Sequence, residues 1–381
     1  MGAFLRAREA AMAGLLKRFV GCESPTDAKA AVDRFGRMVA TEWRKRGAQI
    51  QVLRQKHAGN HLRVTWPASR PGQNNRRQSK QILVLGHLDT VYEIGTILKM
   101  PFRLRRGRAF GPGVFDMKGG LVIALFAVDA MAHARRLPHR RVVFLWTSDE
   151  ETGSQSSRRW IEREARRSSA VLVLEPAQGR EGMLKTRRKA IGTAEVVITG
   201  RAAHAGLNPE AGVNAVHELA LQAARLMRLN NPRRGITVNP TMAQGGTRSN
   251  VIPAEARLTI DLRAETLADV RRIEAKLKTF RPILRGAQVS VRGGFSRPPL
   301  ERRASAALFS HARQIAQQLG FSLGEHLAGG GSDGNFTAAL GVPTLDGLGA
   351  VGEGAHSPDE QVIVSALPQR AALLAALLAT L

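Results

Sequence analysis

Three short apolar runs in this chain each stop at an acid or a histidine. Gln81-Ile-Leu-Val-Leu-Gly leads into His87-Leu-Asp89, Val142-Val-Phe-Leu-Trp-Thr leads into Ser148-Asp149-Glu150-Glu151, and Val171-Leu-Val-Leu leads into Glu175. Short apolar runs bounded by turn signals read as strands buried on both faces, the habit of a mostly parallel sheet. In such a sheet ligands bind beyond the carboxyl ends of the strands. The strand ends therefore carry carboxylates and an imidazole to one rim, and Asp116 and His356 stand at turns of the same character. Oxygen donors mixed with imidazole suit zinc or a similar divalent ion, and five or more ligands suit two ions sharing one bridging acid.

At 381 residues the chain exceeds the usual size of a single core, so two domains are expected. A single cysteine, Cys22, excludes an internal disulfide framework and reads as a small buried apolar residue. No run reaches the roughly 18 apolar residues of a membrane span. Met1 to Val20 interleaves Arg6, Arg8, Glu9, Lys17 and Arg18 with apolar residues, which describes an amphipathic helix and not a secretory leader. The expected setting is cytoplasmic.

The net charge of +26 comes mainly from arginine, in clusters such as Arg103 to Arg108 and Arg135 to Arg141. Aromatics form only 5% of the chain and do not interleave with these clusters, which argues against a stacking platform for single strands and against a specific nucleic-acid partner. Two readings stay open: an arginine-rich solvated surface, and attraction to acidic substrates or surfaces.

Along the chain, residues 3–20 and 26–46 read as helices, 49–53 and 61–66 as strands, and 67–80 as a surface loop. Strand, helix, strand, helix, strand then alternate to about residue 174, which is α/β. After about Ala190 the order becomes β-α-β-β-α-β, with strands at 192–199, 236–238, 256–262 and 288–291 and helices at 214–229 and 266–280. This implies a small antiparallel sheet with two helices on one face. The return past Arg297-Pro-Pro adds a helix at 304–319, Gly329-Gly-Gly-Ser-Asp333, a strand near 342–345 and a final helix from Leu367. The second domain is thus an insertion: 1–190 plus 299–381 form one domain, and 191–298 the other.

Five segments, Gly86-His-Leu-Asp-Thr90, Gly111-Pro-Gly-Val-Phe-Asp-Met-Lys-Gly-Gly120, Ser148-Asp-Glu-Glu-Thr-Gly-Ser154, Leu174-Glu-Pro176 and Gly354-Ala-His-Ser-Pro-Asp359, occur in this order. Together they resemble the metal-site motifs of the co-catalytic zinc carboxypeptidase, aminoacylase and deacetylase family, with the glutamate carboxypeptidase branch the most similar. The resemblance implies an α/β zinc exopeptidase-like catalytic domain carrying an inserted ferredoxin-like α+β lid and dimerisation domain. It implies two Zn2+, with Co2+ or Mn2+ as substitutes. Asp116 would bridge them, His87 and Glu175 would complete one site, and Glu151 and His356 the other. Glu150 would be the general base, and Asp89 would fix the tautomer of His87. If Glu150 and Glu151 continue their strand, their side chains point to opposite faces, so one acid can move protons while its neighbour holds metal.

The resemblance extends to the insertion. Gly200-Arg-Ala-Ala-His-Ala-Gly206 matches the segment whose histidine, here His204, stabilises an oxyanion, typically across a dimer interface. Gly245-Gly-Thr-Arg-Ser-Asn250 and Asp261-Leu-Arg263 match segments whose Asn250 and Arg263 would bind a substrate carboxylate. Gly329-Gly-Gly-Ser332 resembles a loop beside the metals, with Gly330 lining the substrate pocket. Met183 falls near the place of the branch's basic residue for a glutamate side chain, so the resemblance does not imply that side chain. The expected activity is hydrolysis of the amide bond of a peptidyl or N-acyl amino acid with a free carboxylate, by a homodimer. An N-acyl amino acid deacetylase or desuccinylase is the alternative. A metal-retaining or nucleic-acid-associated protein without turnover is the alternative of another class.

Overall fold

The computed structural model describes residues 1–67 and 80–381. Most of the loop expected at 67–80 lies outside the described residues. The chain divides into two compact units, one of Met1–Arg187, Arg302–Ala328 and Ser332–Leu381, the other of Arg188–Glu301 and Gly329–Gly331.

The first unit is built on a six-stranded sheet in the order Gln49–Leu53, His61–Trp66, Val142–Thr147, Gln81–His87, Ser168–Val173, Thr344–Leu345. The last four run parallel to one another, and His61–Trp66 joins them antiparallel. Alternate residues of the central strands feed two cores, as the period of two requires. Ile82, Val84, Phe144, Trp146 and Leu172 join the larger core, under helices Glu9–Val20, Lys29–Arg44, Gly119–His133 and Ala366–Thr380. Leu83, Leu85, Val143, Leu145, Val171 and Val173 join the smaller core with Ile161 and Phe336. Helices on both faces explain why these strands read as continuous apolar runs.

Helix Gly119–His133 is apolar almost all round because it is enclosed. It starts where it does because Gly120 lies against the carbonyl of Leu174, where a Cβ would collide with that oxygen. The close approach sets the turn carrying Asp116 beside the strand end carrying Glu175.

The second unit has a four-stranded antiparallel sheet in the order Thr237–Gly245, Glu255–Ala264, Ala190–Thr199, Gln288–Arg297. Helices Ala215–Met227 and Leu267–Lys278 supply apolar side chains to its core. Both helices are capped by side chains, Asn214 accepting from the His217 N–H and Thr266 from the Asp269 N–H.

Four local expectations need correction. Residues 3–20 form two helices, Gly2–Arg6 and Glu9–Val20, broken where Arg8 leaves helical geometry. The first short helix has its own anchor, Phe4 stacked on His133 at 4.3 Å. The strand expected at 236–238 runs as Thr237–Gly245, through an irregularity between Pro240 and Met242 at the edge of the sheet, where a proline's missing N–H is tolerated. A small sheet of Gly352–Glu353, Gln361–Ile363, Arg108–Phe110 and Arg103–Arg105 was not anticipated at all. Finally, Gly329–Gly331 groups with the second unit, although sequence order assigns it to the first. The Arg188 guanidinium donates to the carbonyls of Gly330 and Gly331, and that of Arg263 to Gly329, which ties the segment there.

Candidate metal centre

Each donor at this centre sits where a regular element ends. His87 is the last residue of its strand, and Glu175 follows the strand Ser168–Val173 by two residues. Asp116 lies in the irregular turn Val114–Lys118, where its backbone (φ −113°, ψ 96°) departs from helical values. His356 adopts φ 62°, a left-handed conformation uncommon for a residue with a side chain and the kind of strain that gathers at functional sites.

The central group is the Asp116 carboxylate. Its Oδ1 lies 3.2 Å from His87 Nε2 and its Oδ2 lies 3.4 Å from His356 Nε2. His87 Nε2 is also 3.4 Å from Glu175 Oε1, and His356 Nε2 is 3.2 Å from Glu151 Oε2. One carboxylate thus faces two half-sites, each with one imidazole and one further acid. The ligand atoms of His87, Asp116 and Glu151 lie within 4.8 Å of one another, as do those of His87, Glu150 and Glu175. The second grouping puts Glu150 beside the ligands, although it was expected to act as a base and not a ligand. Imidazole–carboxylate pairs join the other five residues, and Glu150 stands beside them.

The electrostatics call for positive charge. Burial alone would lower the pKa of His87, but Asp116, Asp89 and Glu175 outweigh it and hold the imidazole well above its ordinary range. Asp116 and Glu151 carry His356 up to about 10. Burial opposes ionisation of Asp116, yet the two imidazoles hold its carboxyl far below the usual range. Burial raises Glu151, and the hydrogen bond from His356 only partly offsets this. Glu151 Oε1 is buried and has no hydrogen-bond partner. An orphaned carboxylate oxygen in a ring of acids and imidazoles fits divalent cations, and the mixed oxygen and nitrogen donor set fits zinc.

The supporting contacts explain the geometry. His87 Nδ1 lies 2.9 Å from the carbonyl oxygen of Asp89, so it carries the proton and leaves Nε2 facing the acids. Asp89 does orient His87, but its closest contact is through the backbone carbonyl, with carboxylate Oδ1 farther off at 3.5 Å. The Asp89 carboxylate instead accepts the N–H groups of Glu150 (3.3 Å) and Glu151 (3.2 Å) and the hydroxyl of Thr26 (2.8 Å). Burial would raise its pKa, but His87 and these donors hold it below the ordinary range. This capping turns the chain, so Glu150–Thr152 forms a 3₁₀ turn and not a continued strand. Neighbouring side chains are then roughly 120° apart, which still separates Glu150 from Glu151.

Behind this turn, His61 is buried with Nδ1 2.8 Å from the Ser148 hydroxyl and Nε2 3.1 Å from that of Ser156, which donates to Asp149 at 2.8 Å. Burial lowers the pKa of His61, so it serves as a neutral link that pins the loop.

Sequence reasoning missed Glu360. It is fully buried, and its Oε1 accepts the N–H groups of Phe115 (2.8 Å) and Asp116 (2.9 Å). Its Oε2 accepts the Gly113 N–H at 3.0 Å and lies 2.5 Å from the Tyr92 hydroxyl. Burial pushes its pKa up to about 7 against the pull of these donors. An acid four residues past a motif histidine was the available signal. Only the unanticipated small sheet, pairing Gln361–Ile363 with Arg108–Phe110, shows that it reaches Asp116.

The remaining expected residues, His204, Asn250, Arg263 and Gly330, belong to the second unit. His204 and Val251 pair in a two-residue ladder, and the Ala205 N–H donates to the Asn250 carbonyl at 2.9 Å, so His204 and Asn250 are neighbours. His204 Nδ1 accepts the N–H groups of Gly206 (3.1 Å) and Leu207 (3.0 Å), which leaves the proton of the neutral ring on Nε2. The Arg263 guanidinium is engaged with Asp261, at 2.9 to 3.2 Å to both carboxylate oxygens. Gly330 is exposed, and its carbonyl accepts from Arg188 at 3.2 Å.

Residues 83–380 match the model of peptidase family M20/M25/M40. Carboxypeptidase G2 of Pseudomonas sp. (strain RS-16) is 32% identical over 371 residues, covering 95% of this chain and 87% of that protein. A succinyl-diaminopimelate desuccinylase of Magnetococcus marinus is 27% identical over 282 residues, covering 69% and 72%. Among solved structures, the aminopeptidase PepT of Bacillus cereus superposes with a TM-score of 0.79 at 22% identity, covering 97% of this chain and 98% of that one. An M20 family metallo-carboxypeptidase of Sulfolobus solfataricus superposes at 0.70 with 15% identity, covering 97% and 98%.

Proposed function

Because this chain belongs to peptidase family M20/M25/M40 and is a metal-dependent hydrolase, we propose that it is a di-zinc enzyme cleaving the amide bond of a peptidyl or N-acyl amino acid with a free carboxylate. The observation that carries the two-ion reading is Asp116, whose two oxygens face two imidazoles in two separate half-sites. His87 and Glu175 would hold one ion, Glu151 and His356 the other, and Asp116 both. Ions held by these residues would supply the charge that polarises a scissile carbonyl and makes an attacking water more acidic.

The rest is the work of the chain's own groups. The Glu150 carboxylate takes the water's proton and delivers it to the leaving nitrogen. Asp89 holds the loop of Glu150 and Glu151 through their N–H groups and keeps the His87 tautomer through its carbonyl. In the second unit His204 offers an Nε2 proton, which suits the role of donor to a developing oxyanion. Asn250 and Arg263 are the residues for the substrate carboxylate, and Arg263 must share itself between that group and Asp261. Gly330 completes the substrate group. A homodimer through the second unit and a cytoplasmic setting belong to the same proposal.

The similarity to carboxypeptidase G2 favours a carboxypeptidase-type substrate. The similarity to a succinyl-diaminopimelate desuccinylase keeps a deacylase as the second reading. A panel of dipeptides, acyl-glutamates and N-acetyl or N-succinyl amino acids, assayed with and without zinc, separates them. Zinc-dependent cleavage is expected, with Glu150→Ala slower by about 10³-fold while retaining its metal. Equal rates in wild type and variant would remove Glu150 from the mechanism. Two tightly held ions with no turnover on the whole panel would favour a non-catalytic role.

A further inference from the structure

We propose that Glu360 and Tyr92 form a brace that positions the metal ligands, Glu360 setting Asp116 for both ions and Tyr92 tying in the segment of His356. The inference rests on the two-ion reading above. Three of the five candidate ligands lie on the strand Gln81–His87, the turn holding Asp116 and the loop holding His356. The brace contacts the second and third, and its Tyr92 stands on the segment that follows the first.

The turn before Asp116 has two backbone bonds of its own, from the Val114 N–H to the Gly111 carbonyl (3.2 Å) and from the Lys118 N–H to that of Gly113 (3.0 Å), but these do not use the N–H groups of Gly113, Phe115 and Asp116. Gly111 (φ 149°) and Gly113 (φ 70°) take conformations outside any regular ladder. The N–H groups of Gly113, Phe115 and Asp116 point to one place, and the Glu360 carboxylate occupies it with both oxygens. A buried N–H needs a partner, and these three share one. The Asp116 backbone is therefore set by a residue four positions beyond His356.

Tyr92 closes the link. It is the only tyrosine of the chain and lies five residues after His87. Its hydroxyl is 2.5 Å from Glu360 Oε2 and 3.0 Å from the carbonyl of Ser357, the residue next to His356. The hydroxyl thus bridges the acid that holds Asp116 and the loop that presents His356 at positive φ. Neither Glu360 nor Tyr92 is a ligand in the two-ion arrangement, so both act through the residues they hold and are positioning residues.

The two positions predict different patterns. Glu360→Gln puts an amide NH2 against N–H donors and loosens Asp116, which both ions share. Tyr92→Phe removes the hydroxyl's contacts with both Glu360 and Ser357, but it leaves the three N–H bonds that keep Glu360 on the Asp116 turn, so the loss falls mainly on the His356 loop. Zinc titration against a competing chelator, with metal content measured after dialysis, reads each ion separately. Wild type is expected to bind two ions. Tyr92→Phe should weaken one of them by about tenfold and leave the other, and Glu360→Gln should weaken both by at least about tenfold. Thermal melting of the ion-free proteins is expected to stay near wild type for Tyr92→Phe, which carries the test if Glu360→Gln is insoluble. A general structural weakening would lower both affinities and the melting point together in Tyr92→Phe, and would overturn the brace. Two tight ions in wild type, with unchanged affinities in both variants, would overturn it as well. Fewer than two ions in wild type would overturn the two-ion reading beneath it instead.

Discussion

The candidate ligands in the first unit and the candidate substrate residues in the second are built in opposite ways. His87, Asp89 and Glu175 are buried, and two of the ligand segments, those of Asp116 and Glu151, are fixed by backbone donors converging on an acid. His204, Asn250 and Gly330 are exposed, and Arg263 is held by a neighbour two positions away on its own strand. Chemistry that must act in one geometry is set in a stiff frame, as preorganised catalysis requires. Recognition that must suit a particular side chain or acyl group is set on a surface that can change cheaply. The ligand set itself repeats the contrast on a smaller scale: the His87 side chain is 1% exposed and that of His356 48%.

The sharpest way to break this comparison is Asp116→Asn. Losing the shared carboxylate should remove both ions and essentially all activity; retention of two zincs by elemental analysis would contradict the bridging role. Next comes His204→Ala, expected to lower kcat by about 10² to 10³ while zinc content stays at the wild-type value, since the residue would donate to the oxyanion without holding metal. A loss of zinc in that variant would erase the distinction.

The third prediction uses pH. The imidazole of His356 is raised from 6.5 to about 10 without an ion, so zinc must displace its proton. Apparent zinc affinity at that half-site should rise by about tenfold per pH unit from roughly pH 7 up to about 10. The ion-free protein runs the other way. A raised pKa contributes stability that is complete below about pH 6.5 and lost as pH climbs through about 10, so melting of the apoprotein should fall over that window. A flat profile in both measurements would remove His356 from the ligand set. The smallest effect is expected for Arg263→Ala, a rise in KM of about fivefold with kcat preserved, because Asp261 already engages the guanidinium. A fall in kcat at unchanged KM would place Arg263 with the chemistry instead.

The same contrast governs how much could be read from sequence. His87, Glu175 and the Glu150–Glu151 pair were legible because a buried strand of a parallel sheet writes itself as an apolar run, and the first polar residues after it mark the rim. The α/β order and the β-α-β-β-α-β insertion were legible for the same local reason. The 3₁₀ turn at Glu150 was not, because it depends on Asp89 capping from another strand end. Glu360 and Tyr92 were hidden more deeply. Their partners lie hundreds of residues away, and the pairing that joins them runs through strands of two or three residues with no periodicity to see. The extension to Gly245 was missed because an edge strand needs no apolar pattern on its exposed side.

The order of strands in the main sheet also bears on how the protein is made. The insertion is nearly one continuous stretch, Arg188–Glu301, whose sheet pairings all close within it, and such a segment can fold once its last strand, Gln288–Arg297, has emerged from the ribosome. The first unit cannot do the same. Its sheet is completed by Thr344–Leu345 docking on Ser168–Val173, and His356 and Glu360 follow that strand. A nascent chain displayed as far as residue 340 already holds His87, Asp116, Glu151 and Glu175, yet it lacks the final edge strand and the second imidazole. Synthesis therefore delivers the candidate recognition residues early and withholds the full set of candidate ligands until the strand Thr344–Leu345 and His356 have been made.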